Sequence, residues 1–277
     1  HLEAIARIVP ILRALRHADG GLARFHGGGR GVEGRLDTVL ATAGVKAQAA
    51  QELVMGYARL AAGRTTMIID AAAPPSGIAS FNAHASTLAF ELTSGRRPLI
   101  VNCGSGSTFG EDWRRAGRAT PSHSTLCLDG FSSARLGATS RMGPIERELL
   151  DDVPKSVPVE MSRASDGVRL EGGHDGYLRT HGLTHARILE LTFDGRGIVG
   201  EDLLVALDAA AKAQFNHKLE DSRLSGVPFD IRFHLHPEVD TAIDMNGTAV
   251  SMALRSGEIW VFRFEGHCDL ALEPSVY

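Results

Sequence analysis

The stretch Ala249-Val250-Ser251-Met252-Ala253-Leu254-Arg255-Ser256-Gly257-Glu258-Ile259-Trp260-Val261-Phe262-Arg263-Phe264 decides the fold class. Val250, Met252 and Leu254 alternate with Ala249, Ser251 and Ala253, and Trp260, Phe262 and Phe264 alternate with Ile259, Val261 and Arg263. A period of two is that of a strand with one face buried. Ser256-Gly257 supplies the turn between the two runs, and Asn246-Gly247 precedes the first. Such pairs tolerate the positive φ that a tight hairpin needs. Working outward, Ile231, Phe233 and Leu235 alternate with Arg232, His234 and His236. Arg187 to Phe193 reaches Asp194-Gly195, which predicts a partner strand beyond it, and Ser124 to Leu128 leads into Asp129-Gly130. Pro98 to Val101 closes on Asn102-Cys103-Gly104. Leu88, Phe90 and Leu92 alternate with Thr87, Ala89 and Glu91 before Thr93-Ser94-Gly95. Many short strands without intervening helices predict an all-β sandwich or barrel of antiparallel sheets. No fixed-period repeat is present.

Ahead of the period change near Gly44 the pattern is helical. Leu2, Ile5, Ile8, Val9, Leu12 and Leu15 recur at helical spacing, with Pro10 expected to kink or split the helix. His17-Ala18-Asp19-Gly20-Gly21 stops it, Gly27-Gly28-Gly29 with Gly31 forms a connection, and a short helix is expected around Leu36 to Ala43. Gly104 to Gly117 reads as a long loop, a feature that inside a β domain is often functional, and Pro144 to Pro158 as a second exposed excursion.

The 277 residues carry a formal charge of -4, which lacks the basic excess of a nonspecific nucleic-acid binder. No apolar run is long enough for a transmembrane helix. Because the chain begins at His1 rather than Met, inside a helical pattern, it is expected to be part of a longer protein. Cys103, Cys127 and Cys268 show neither a CxxC spacing nor a disulfide framework and are expected to be small buried hydrophobes.

Twelve histidines invite an acid/base or metal reading. Asn82 and His84 share the parity of Leu88, Phe90 and Leu92, so a strand starting that early would point both into the sandwich near its mouth. His123 opens another strand. Two histidines with a third polar ligand can hold zinc, but on spacing alone a hydrogen-bonded core or surface histidine is the commoner outcome. His234 and His236 share a strand face, as chelators or as a plain polar face, and His174-Asp175-Gly176-Tyr177 offers an acid or base or a plain turn. Gly27 to Gly29 lacks the strand-before, helix-after context of a phosphate loop. Ser105, Ser107 and Ser124 lack a nucleophile-elbow setting.

At these residues the chain resembles the heparinase II/III-like family over most of its length. The likeness is carried by Leu15-Arg16-His17-Ala18-Asp19-Gly20, Gly56-Tyr57-Ala58-Arg59-Leu60 and Asn82-Ala83-His84-Ala85-Ser86-Thr87-Leu88-Ala89-Phe90-Glu91-Leu92. It continues through Leu99-Ile100-Val101-Asn102-Cys103-Gly104, Arg118-Ala119-Thr120-Pro121-Ser122-His123-Ser124-Thr125-Leu126 and His174-Asp175-Gly176-Tyr177. It ends with Arg232-Phe233-His234-Leu235-His236-Pro237 and Glu273-Pro274-Ser275-Val276-Tyr277. Each stretch is short, and their order and spacing make the signal.

The resemblance implies an α/α toroid followed by an antiparallel multi-sheet β-sandwich, or supersandwich. Residues 1–43 would be residual helices from the end of the toroid and 44–277 the C-terminal β domain. The implied activity is that of a polysaccharide lyase, cleaving uronic-acid-containing chains such as glycosaminoglycan or alginate by β-elimination. That chemistry needs a base, donors for the uronate carboxylate and an acid for the leaving oxygen. The family's catalytic histidine position falls on Asn82, and its metal positions fall on His84, Asn102 and His123. Asn82 cannot act as a base but can donate to a carboxylate, and neutral Asn102 is a weaker zinc ligand than aspartate. Arg118 and His174 are further candidates for contacting acidic sugar. The expected partners are an acidic polysaccharide, the parent's N-terminal toroid and a second copy in a homodimer, with neither nucleic acid nor a membrane span. The family places the protein in the periplasm or cell envelope, with the cytoplasm as the alternative that unpaired cysteines favour. The chain alone is expected to be inactive. Its rivals are a noncatalytic carbohydrate-binding or scaffold domain and, without a positive residue signal, a metal-free hydrolase or envelope-assembly protein.

Overall fold

The computed structural model describes residues 1–29, 31–46, 53–128 and 130–274. Helices α1 (Leu2–Ala14) and α2 (Arg35–Thr42) come first. Strands β1 (Tyr57–Ala62), β2 (Thr65–Asp70), β3 (Phe90–Ser94) and β4 (Arg97–Val101) then build an antiparallel sheet. Helix α3 (Glu111–Gly117) and the short β5 (Leu126–Leu128) follow. Next is a two-stranded ribbon of β6 (Arg135–Met142) and β7 (Ile145–Asp152). A four-stranded sheet comprises β8 (Val159–Arg163), β9 (Gly167–Tyr177), β10 (Leu183–Thr192) and β11 (Ile198–Val205), with the one-turn α4 (Leu178–His181) between β9 and β10. After α5 (Ala209–Asp221), β12 (Phe229–Ile231) pairs with β5, and β13 (His234–Leu235) joins the first sheet beside β4. The chain closes with a three-stranded sheet of β14 (Asp240–Asp244), β15 (Ala249–Ala253) and β16 (Ile259–Arg263). This is an all-β, antiparallel multi-sheet sandwich preceded by a short helical segment.

The first sheet is a middle layer, which explains why β2 and β3 are buried along their whole length. On one face Met67, Ile69, Phe90 and Leu92 pack against Leu170, Leu189 and Leu191 of the four-stranded sheet and against Val250 and Met252 of β15. On the other face Ile68 and Ala89 receive Phe25 from the N-terminal segment. That segment is tied down by Arg59, which donates to the Ala14 and Arg16 carbonyls at 3.0 and 2.8 Å. Alternate residues of one strand therefore serve two different cores, and burying both faces places polar side chains such as Glu91 in the interior.

Several expectations need correction. Helix α1 runs unbroken through Pro10. The strand expected from Leu88 begins at Phe90, because Leu88 has φ of 63° and its N–H donates to the Asp70 carbonyl at 2.7 Å, outside any ladder. Asn82 to Thr87 is consequently irregular chain. The Ile231 to Leu235 alternation spans two sheets, with β12 on β5 and β13 on β4. Helices do intervene: α3 lies within the Gly104–Gly117 segment, and α5 is capped by Asp208, whose side chain accepts from Ala211 N–H. The second excursion is mostly β7, which buries Leu150. Of the cysteines only Cys127 is buried; Cys103 is half-buried and Cys268 exposed. The strand predicted after Asp194-Gly195 is present as β11, paired with β10. Asp129 and Ser275 to Tyr277 lie outside the described residues.

Candidate functional site

Three connections place the candidate residues. The irregular Asn82–Thr87 segment precedes β3, Asn102 follows β4, and His123 leads toward β5. They converge beneath the end of the middle sheet. His84 Nδ1 lies 3.3 Å from His123 Nε2, and His123 Nδ1 lies 3.3 Å from Asn102 Oδ1. Asn102 Nδ2 donates to Glu91 Oε1 at 3.2 Å. Glu91 also accepts from Arg24 N–H at 3.1 Å and sits 3.1 Å from His17 Nε2, so three donors satisfy a buried carboxyl group.

The order of protons along this chain follows from its ends. Ser124 N–H points at Asn102 Oδ1 at 3.1 Å, and Glu91 faces Asn102 Nδ2, which fixes the amide's orientation. An amide oxygen only accepts, so His123 Nδ1 carries its proton and a neutral His123 Nε2 must accept from His84 Nδ1. His84 Nε2 is then an unprotonated acceptor beside Gly27, where a Cβ built on the glycine would lie 3.1 Å from it. Gly27 has φ of 71°, so both conformation and space favour glycine there. Burial, with the charges of His26, Arg118 and Arg114, pushes His84 down to about 3. Burial beside His84 likewise holds His123 well below its ordinary value. Both rings are neutral at physiological pH, and neither is a strong base.

Over these residues lies an open polar cleft of about 290 Å³ lined by Arg24, Gly27, Gly28, Gly29, Asn102, Cys103, Gly104, Ser105 and His236. Reading from sequence missed Arg24 and the glycine run as parts of this wall, and Glu91 as the buried end of the relay behind it. The glycines lack a phosphate-loop context, and Gly27 instead brings main chain close to His84.

The remaining candidates lie elsewhere. Asn82 is exposed and accepts a hydrogen bond from Arg147 NH1. Arg118 is buried, and its guanidinium donates to the Ala83, Glu148 and Ser80 carbonyls at 2.8, 2.6 and 2.8 Å. It therefore clamps the Asn82 segment to β7. His174 is buried in a second relay, 3.1 Å from His185 Nδ1, and His185 Nε2 is 2.6 Å from Asp202. Arg187 forks onto both oxygens of Asp202 and donates to the Leu88 and Ser124 carbonyls. Burial alone would raise Asp202, but Arg187 and His185 outweigh it and hold the carboxyl below the usual carboxylate range. Arg118 thus holds main chain in place, and His174 belongs to a buried relay; neither lines the cleft.

The zinc set implied by the resemblance fits these residues poorly. Asn102 Oδ1 is engaged by His123 Nδ1 and Ser124 N–H, on the side of the ring away from the gap facing His84. His84 Nδ1 and His123 Nε2 face that gap, whereas a structural zinc site takes four ligands and a catalytic one three. Among the described residues no three His, Cys, Asp or Glu side chains converge as a metal set.

The family described as Heparinase II/III-like, C-terminal, matches residues 45–277. FtsZ-localized protein C of Caulobacter vibrioides is 33% identical over 280 residues, covering 99% of this chain and 46% of that protein. The heparan sulfate lyase HepC of Pedobacter heparinus superposes with a TM-score of 0.59 at 15% identity, over 90% of this chain and 37% of that one. A heparinase III structure gives a TM-score of 0.58 at 14% identity, over 93% and 40%. The chain thus spans less than half the length of each of these relatives. Likeness at 14–15% identity establishes the fold. No helix among the described residues is long and apolar enough to cross a membrane. With the family matched over most of the chain and the sandwich superposing on its solved structures, the chain belongs to the heparinase II/III-like family, of which it carries the C-terminal β domain.

Proposed function

We propose that this β domain forms the acidic-polysaccharide-facing wall of a lyase-family protein and supplies no elimination base of its own. The observation that carries the reading is the neutral His84–His123 pair, joined through Asn102 to Glu91, beneath an open polar cleft. It presents fixed polar groups and main chain to a ligand, with Arg24 on the wall to meet a carboxylate. Abstraction of the proton beside a uronate carboxylate needs a group poised near the working pH. His84 titrates too low for that, and Asn82 has no basic nitrogen. The base and the leaving-group acid would come from the rest of the parent protein. The isolated chain should bind heparan sulfate or alginate without releasing unsaturated product, and the full-length parent should release it. Absence of binding by the chain together with absence of product from the parent would overturn the reading.

A second reading, a noncatalytic scaffold, is favoured by one observation. The relative named FtsZ-localized protein C shares 33% identity along almost the whole chain, about twice the level of the lyases. Co-sedimentation of the full-length parent with FtsZ filaments, with no product from any uronate polymer, would establish it in place of the first.

A further inference from the structure

Cys103 lines the cleft, and its Sγ lies 3.2 Å from His234 Nδ1. His234 Nε2 lies 2.8 Å from the Pro121 carbonyl oxygen. A carbonyl only accepts, so Nε2 carries the proton and Nδ1 presents its lone pair to the thiol. Both partners are held by main chain. Cys103 N–H donates to the Ser122 carbonyl at 3.0 Å, and His234 N–H donates to Ser124 Oγ at 3.0 Å while β13 pairs with β4. A thiol, a base within reach of it and a third group that fixes the base's tautomer form the arrangement that activates a cysteine nucleophile. Neither other cysteine shares it: buried Cys127 turns its Sγ to the Leu128 and Phe131 carbonyls, and Cys268 is on the surface.

We infer that Cys103 and His234 form a thiol-modification site opening on the cleft, reactive toward low-molecular-weight disulfides. The inference stands on this geometry and does not depend on the polysaccharide reading. In the reaction His234 Nδ1 takes the Sγ proton, and the thiolate attacks one sulfur of the reagent. A new S–S bond forms at Cys103 as the reagent's own S–S bond breaks. The departing thiolate then takes the proton from His234, so Cys103 is oxidised and half of the reagent is reduced. The adduct would occupy the cleft beside Arg24 and His236.

The test is to incubate the 277-residue chain with glutathione disulfide and follow each cysteine's mixed disulfide by peptide mass. Half-buried Cys103 should react about tenfold faster than exposed Cys268, the reverse of the order that exposure alone dictates. His234→Gln keeps a donor for the Pro121 carbonyl but removes the base, and should slow Cys103 about tenfold with Cys268 unchanged. His234→Ala serves as a second variant, checked for folding by the unchanged Cys268 rate and continued protection of Cys127. A Cys103 rate no higher than that of Cys268, or one untouched by either substitution, would overturn the inference.

Discussion

His84 Nδ1 and His123 Nε2 face each other across 3.3 Å in a buried gap that admits a single proton. Burial is the first cause of the lowered value at each ring, and each is kept neutral in the fold. An unfolded histidine takes a proton below about pH 6.5. A folded value depressed below the unfolded one means that stability is lost as pH falls from about 6.5 toward the folded value, about 3 for His84. Each such ring contributes at most about 1.4 kcal/mol of loss per pH unit in that window. Buried His174 and His185, also lowered by burial, add to the trend. The urea midpoint should drop between about pH 7 and about pH 5, less steeply in His84→Gln. A midpoint that does not move would refute the neutral relay.

Replacing Asn102 with aspartate restores the residue type that the family resemblance implies, and here it should destabilise. The new side chain loses the donor that reaches Glu91 at 3.2 Å and sets a second carboxyl group against it in a buried site. Breaking a buried hydrogen bond while adding like charge costs about 2–4 kcal/mol. One of the two carboxyls then titrates high, so the penalty should shrink as pH falls through that raised value. Denaturation of Asn102→Asp near neutral pH and in mild acid reads both effects. An unchanged stability would mean that Glu91 is not the partner the relay requires.

Asp202→Asn should be among the more damaging polar substitutions in the fold. It leaves the Arg187 guanidinium, only 1% exposed, without its counter-charge. Removing one partner of a buried pair costs about 3–5 kcal/mol. Because Arg187 also donates to the Leu88 and Ser124 carbonyls, the loss should reach the irregular segments around His84 and His123. Faster hydrogen exchange at 84–88 and 123–125, with the three-stranded sheet of β14–β16 unaffected, is the expected pattern.

Much of this architecture was legible because turn chemistry and period two act locally. Ser256-Gly257 and Asp194-Gly195 each separate strands that pair as their alternation requires. What escaped notice depends on tertiary context. Leu88 with φ of 63° is a buried leucine in a conformation that side chains avoid, held by Asp70 and Arg187, and neither partner is near it in sequence. Glu91 looks like the solvent face of a half-buried strand, until the N-terminal segment covers that face. Helix α5 has no strong apolar stripe, and its sequence signal is the Asp208 cap. Asn102 and His123 lie in contact, but the side of the ring on which the amide sits is a matter of three-dimensional geometry that no spacing in the sequence conveys.

Asn82 is the position at which the lyase reading can be pressed hardest. It is exposed beside Arg147, so a larger polar side chain needs no repacking of a core. Arg118 holds the adjoining Ser80 and Ala83 carbonyls and should keep the segment in place. A histidine there would put an imidazole, titrating near neutrality at an exposed site, where the resemblance implies a catalytic one. A positioned acid or base contributes about 10²–10⁴-fold in rate. If the parent's other domain supplies the remaining groups, Asn82→His in the full-length protein should raise release of unsaturated uronate by about tenfold or more, with little change in the affinity of the isolated β domain for the polymer. No gain in product at preserved binding would place this protein outside the elimination chemistry and favour the scaffold reading.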